Sequence, residues 1–191
     1  EVLQKYSKTV YEAFHAVFQS LPLASVVNSS VFVTHGGLCR RDVTLGDIAA
    51  IDRSQGDSKS EIAQDLLWSD PMNERGRQCS PRGAGVLFGP DVSEAFCQNN
   101  GLLCCIRSHE VKERGFQWQK GGRCLTIFSA ANYVGRVGNL GAVCHIKPRG
   151  QRVEAADLSI STFEAGKDKL PFDRGSRVQV TFPSAALRSR L

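Results

Sequence analysis

Val31-Phe32-Val33-Thr34 is an apolar run that ends on His35-Gly36-Gly37, and the pattern occurs twice more. Leu102-Leu103-Cys104-Cys105-Ile106 runs into Arg107-Ser108-His109-Glu110, and Cys124-Leu125-Thr126-Ile127-Phe128 runs into Ser129-Ala130-Ala131-Asn132-Tyr133. Short continuous apolar runs of this kind read as strands buried on both faces. Polar, chemically capable residues at the end of each run point to one shared rim, where strand ends converge and loops carry the chemistry. An imidazole delivered by a strand into a glycine turn is well placed to meet a metal ion beside open backbone.

The rest of the chain fills in around these runs. Tyr6, Val10, Tyr11, Phe14, Val17, Phe18 and Leu21 recur at helical spacing and predict an amphipathic helix that stops at Pro22, with His15 between its core positions. Thr44 and Asp47 predict a capped helix carrying Ile48, Ala49 and Ile51 inward. Leu66-Leu67-Trp68 leads into a turn at Ser69-Asp70-Pro71, where Asp70 reads as a turn residue before proline and Trp68 as a packing residue. Met72 to Pro81 reads as a basic irregular loop, and Gly85–Phe88 as a strand. Asp91 is expected to cap a helix through Asn99, followed by strands near 102–107, 123–129 and 141–147. Beyond Pro148 the periodicity weakens, leaving a late strand at Val178–Phe182 and a frayed end at 188–191.

A length of 191 residues with 41% hydrophobic content supports one domain with a real core. The net charge is +5, of which the segment after Pro148 contributes +3, from eight basic against five acidic residues. No dense basic stripe interleaved with aromatics is present, which argues against a nucleic-acid partner. No apolar run approaches the ~18–20 residues of a membrane span. Seven scattered cysteines, none spaced as Cys-x-x-Cys, point to a reducing compartment, cytoplasmic or nuclear. Cys104 and Cys105 read as small core residues.

Five motifs occur in order: Thr34-His35-Gly36-Gly37-Leu38, Leu67-Trp68-Ser69-Asp70-Pro71, Arg82-Gly83 before Phe88-Gly89, Arg107-Ser108-His109-Glu110-Val111-Lys112, and Ser129-Ala130-Ala131-Asn132-Tyr133. Together they resemble the C-terminal half of the catalytic domain of PPP-family serine/threonine phosphoprotein phosphatases. Arg107–Lys112 and Gly121-Gly122-Arg123-Cys124 most resemble the type-5 branch. The match covers residues 1–147, and 148–191 stand as a C-terminal extension without an assigned role.

The resemblance implies an α/β, calcineurin-like metallophosphoesterase fold: a β-sandwich flanked by helices, here its C-terminal half only. It implies two divalent metal ions, manganese in the first place and iron or zinc in the second. It implies hydrolysis of phosphoserine and phosphothreonine in protein substrates by direct attack of a metal-activated water, with regulatory proteins as further partners. Matched motif by motif, His35 and His109 are the expected metal ligands. Arg82 and Tyr133 are the expected catalytic residues, and Arg82, His109 and Tyr133 the expected phosphate contacts. The competing expectation is a non-catalytic, truncated or pseudo-phosphatase that binds proteins.

Three motifs that complete such a metal site, Gly-Asp-x-His-Gly, Gly-Asp-x-x-Asp-Arg-Gly and Gly-Asn-His-Glu, do not occur here. Gly46–Arg53 imitates the second but has the wrong spacing and is expected to be helix. The remaining ligands are therefore expected upstream of Glu1, and the 191 residues alone are expected to be inactive and poorly soluble. Ala131, Val134 and Arg136 depart from the usual residues of the tyrosine loop, and the segment with Arg75, Arg77 and Cys79 is unusual.

Overall fold

The computed structural model describes residues 1–53, 56 and 59–166, together with the backbone of residues 177–179. Helices α1 (Val2–Lys5) and α2 (Lys8–Ser20) open the chain, with Ser7 capping α2 by accepting from the Val10 amide. Strands β1 (Ala24–Val27) and β2 (Val31–Thr34) form an antiparallel hairpin. Helix α3 (Leu45–Ala49) starts on the Thr44–Asp47 capping box that its sequence predicts. Helix α4 (Glu61–Trp68) is capped by Ser60, which accepts from Ala63.

Short strands β3 (Asp70–Pro71), β4 (Arg77–Cys79) and β5 (Val86–Phe88) make a small sheet in the order β3-β5-β4, so part of the expected 72–81 loop is strand. Helix α5 (Pro90–Asn99) begins after Gly89 with proline at its first position. Asp91 is therefore inside the helix rather than its cap, and its Oδ1 accepts from Gly76 N at 2.8 Å. Then follow β6 (Cys104–Arg107), β7 (Phe116–Trp118), β8 (Cys124–Ile127), β9 (Gly141–Ile146), β10 (Leu158–Phe163) and β11 (Arg177–Gln179). The last lies at the start of the expected Val178–Phe182 strand; residues 180–182 and 188–191 fall outside the described residues.

The main sheet has the order β1-β2-β6-β8-β7, with β2, β6 and β8 parallel at its centre. Alternate residues of these three strands serve two cores. Phe32, Cys105 and Cys124 pack with Leu66, Val92 and Phe96 beneath α4 and α5. Val31, Cys104, Ile106 and Leu125 pack with Ala142, Leu158 and Ile160 of the sheet made by β9, β10 and β11. One face thus carries helices and the other a second sheet, which is why the three runs are apolar throughout. Strands β9 and β10 pair from Gly141↔Phe163 to Ile146↔Leu158, so the segment after residue 147 begins in the turn of a hairpin.

Helix α2 differs from its expected burial. Its periodic stripe exists, but no residue of the helix is buried, and Val10, Phe14, Val17 and Phe18 are exposed. His15 rests on Tyr11, with ring centroids 4.4 Å apart. Periodicity marks the face that favours cover; it does not supply the cover.

Candidate functional site

Parallel pairing brings the carboxyl ends of β2, β6 and β8 to one edge of the main sheet. The chain leaving β2 turns at once through His35, Gly36 and Gly37. Gly36 N donates to the Leu66 carbonyl at 2.7 Å, and a Cβ on Gly36 would run into the backbone of Leu67 and Trp68. Only glycine allows so close an approach of α4 to the strand end. The chain leaving β6 is tied to this turn, because Ser108 N donates to the His35 carbonyl at 3.0 Å. His109 then takes a left-handed conformation, φ 77°, which aims its side chain back toward His35.

These constraints bring together two imidazoles that are 74 residues apart: His35 Nε2 lies 3.0 Å from His109 Nδ1. The rings meet edge to face with centroids 4.8 Å apart. Trp68, 44% exposed, stands edge-on to His109 with centroids 5.7 Å apart. It is a rim residue of this site rather than the packing residue expected from its sequence.

Burial, then the Arg107 charge, lowers the His35 pKa against the opposing pull of Asp70. Burial, then Arg82, does the same for His109, with His35 and Arg107 adding to it and Asp70 opposing. Both shifts favour the neutral ring, the form whose lone pair can bind a metal.

Arg82 reaches the same edge, where its Nε donates to Asp70 Oδ2 at 2.6 Å. Tyr133 lies in the loop after β8, edge-on to Phe128 with centroids 5.2 Å apart. Among the described residues no hydrogen bond or ring contact joins Tyr133 to the imidazoles or to Arg82. Its loop is braced by the buried Asn139, whose Nδ2 donates to the Ala130 and Leu140 carbonyls and whose Oδ1 accepts from Tyr133 N. Asn139 thus braces the loop that carries Tyr133. Asp70 and Arg107 are the residues of this edge that the sequence did not single out. Both lie inside quoted motifs, an acid in Leu67–Pro71 and a base in Arg107–Lys112, each explained equally well by a turn or a strand end.

The profile of the calcineurin-like phosphoesterases matches residues 1–113. The chain belongs to this metallophosphoesterase family. It is 47% identical over 148 residues to serine/threonine-protein phosphatase 5 of Homo sapiens, covering 77% of this chain and 30% of that protein. It is 42% identical over 168 residues to serine/threonine-protein phosphatase T of Schizosaccharomyces pombe, covering 86% of this chain and 34% of that protein. A solved serine/threonine phosphatase of Saccharomyces cerevisiae superposes with a TM-score of 0.76 at 36% identity, covering 91% of this chain and 56% of that one. The chain thus spans about a third of the length of these curated relatives. The α/β metallophosphoesterase fold expected from the motifs is the fold observed.

The family implies divalent metal ions, and the donors present fit two positions around one. Nitrogens bound at ~2.0–2.1 Å to a common ion, at angles from square to tetrahedral, stand about 2.9–3.4 Å apart. The observed 3.0 Å falls in that interval. The second ring nitrogen of His109, Nε2, is buried and has no hydrogen-bond partner among the described residues. Among the described residues, no group of three or more His, Cys, Asp or Glu side chains converges to hold a metal. Two imidazoles alone would fill only part of the coordination of a divalent ion, which takes about four or more donors.

Proposed function

We propose that this chain contributes half of the catalytic centre of a metal-dependent protein serine/threonine phosphatase. The observation that carries the reading is the 3.0 Å approach of His35 Nε2 to His109 Nδ1 at the edge where parallel strands end. Manganese is the ion proposed, with iron or zinc as alternatives; each accepts neutral imidazole. The bound metal would polarise the phosphoryl oxygen and activate water.

The residues of this chain do the rest. His35 and His109 hold metal through neutral rings. Arg82 presents guanidinium donors to the phosphate oxygens and offsets their charge. Tyr133 is assigned to the rim above the phosphate, where its hydroxyl can donate a hydrogen bond. Phosphoproteins are the proposed substrates, with regulatory proteins as further partners. The seven cysteines, among which no disulfide is formed, support a reducing compartment, cytoplasmic or nuclear.

The test uses Trp68, whose ring faces His109 and which is one of only two tryptophans in the chain. Manganese titration is expected to quench its fluorescence. His35→Ala and His109→Ala should each weaken that response by at least about 10–100-fold, the range set by loss of a single supporting interaction at a metal site. The 191 residues alone are expected to release no phosphate from a phosphoserine peptide, and metal-dependent release that His109→Ala abolishes would overturn the view that the site needs further ligands. Quenching that survives both substitutions would overturn the assignment of the ligands. The protein-binding alternative is favoured if the parent transcript carries none of the three missing motifs.

A further inference from the structure

Arg107 is the most extensively bonded side chain at this edge, and its side chain has 0% exposure. Its Nε donates to the Gly36 carbonyl, its Nη2 to the Ser69 carbonyl at 3.0 Å and to Asp70 Oδ1 at 2.6 Å, and its Nη1 to Glu110 Oε2 at 2.8 Å. These acceptors belong to three separate segments: the glycine turn after β2, the chain leaving α4, and the loop that carries His109. One planar guanidinium locks them into a single arrangement.

Asp70 passes the constraint outward. Its Oδ1 is taken by Arg107 and its Oδ2 by Arg82 Nε, each at 2.6 Å. Burial opposes the negative charge of Asp70, but the hydrogen bonds from Arg82 and Arg107 prevail and hold its carboxyl below the usual carboxylate range. Arg82 is held quite differently from Arg107. Its side chain is 37% exposed, and among the described residues no hydrogen bond or ion pair engages its Nη1 and Nη2. Of the five guanidinium donors, Asp70 takes one and leaves four.

We propose that Asp70, braced by Arg107, is a positioning residue that pins Arg82 at Nε and keeps its distal fork ready beside the imidazole pair for phosphate. The proposal rests on the assignment of Arg82 as the phosphate contact. A long side chain free to rotate would lose that freedom on binding an anion, whereas a pinned one has lost it already. A bare carboxylate at this place would repel phosphate. Here Asp70 and Glu110 are balanced by Arg82, Arg107 and Lys112, so the network carries one net positive charge.

Two measurements on the full chain test this. In the first, orthophosphate is titrated by calorimetry, at fixed manganese, into the parent, Asp70→Asn, Arg82→Ala, Arg82→Lys and the Asp70→Asn/Arg82→Ala double variant. Asp70→Asn is expected to weaken binding by about 10-fold, in the range for loss of a supporting interaction. Arg82→Ala should weaken it at least as much, and the double variant should match Arg82→Ala within about twofold, since Asp70 acts through Arg82. Arg82→Lys leaves the Asp70–Arg107 pair in place, keeps the charge and lacks the Nε anchor; it should bind like Asp70→Asn.

In the second, without metal or phosphate, the Arg82 Nε–H signal in nitrogen-15 spectra should exchange slowly in the parent and fast in Asp70→Asn. A merely structural Asp70 would give additive losses in the double variant, and that result overturns the proposal. So does parent-like phosphate binding by Arg82→Lys or by Asp70→Asn. If Arg82→Ala weakens binding and Asp70→Asn does not, the phosphatase assignment stands and this inference alone fails; if orthophosphate does not bind the parent, both fall.

Discussion

Phe32 and Phe14 occupy apolar patterns of equal clarity, yet one ring is 1% exposed and the other 47%. Phe32 sits on the central parallel strands, where α5 covers it and Phe96 meets its ring edge to face at 5.0 Å. Phe14 sits on α2, in a stripe that no described residue buries. The difference is topological. A central strand gains neighbours on both sides and covering layers on both faces as soon as the sheet forms. A terminal amphipathic helix must be met by another surface, and its own pattern does not supply one.

The largest contrast is expected from Phe32→Ala. Removing a fully buried ring leaves a cavity and should cost ~3–5 kcal/mol of unfolding free energy, read from the shift of the urea midpoint at constant slope. A cost below ~1 kcal/mol would mean that the two regions are equally loosely packed, and the comparison would fail.

Gly36→Ala tests the neighbouring strand end, where the limiting factor is space. The new methyl would press on the backbone of Leu67 and Trp68, which cannot rotate away as a flexible side chain could. The expected cost is about 1–3 kcal/mol, together with a change in the Trp68 fluorescence response to manganese, since the same turn carries His35. A variant that loses neither stability nor the response would show that α4 and β2 are not held as tightly as their contact implies.

The fold was legible where chemistry and burial point the same way. β2, β6 and β8 are apolar on both faces and end on polar residues, so they stand out from the sequence, as does the Thr44 cap of α3. β1, β3, β4 and β7 are two to four residues long, too short for a period to show. β10, Leu-Ser-Ile-Ser-Thr-Phe, alternates apolar and hydroxyl residues only over Leu158–Ser161, too short a pattern to be given a face without its partner β9. α4 has a Ser60 cap and Ile62, Leu66 spacing, but over eight residues this pattern is weaker than the turn marked by Ser69–Pro71.

The same division runs through the candidate site. The meeting of His35 with His109 followed from motifs, because both histidines sit at strand ends that parallel pairing must align. The link from Arg107 through Asp70 to Arg82 did not, since it joins three loops and each residue alone has an ordinary explanation. Long-range polar networks are set by tertiary placement, which leaves no local period in the chain.

The smallest expected effect sharpens the comparison most. Phe14→Ala removes as many atoms as Phe32→Ala, but from a face already in contact with water, so no cavity forms and little apolar burial is lost. Alanine also favours a helix more than phenylalanine does, by a few tenths of a kcal/mol. The net change in unfolding free energy should stay within about 0.5 kcal/mol, while light scattering at high protein concentration should fall as the exposed apolar patch shrinks. A loss above ~2 kcal/mol, or a change of oligomeric state in sedimentation, would show that α2 is covered in solution by a second molecule. The contrast between the two rings would then describe an isolated chain and not the protein at working concentration, and α2 would have to be treated as an interface.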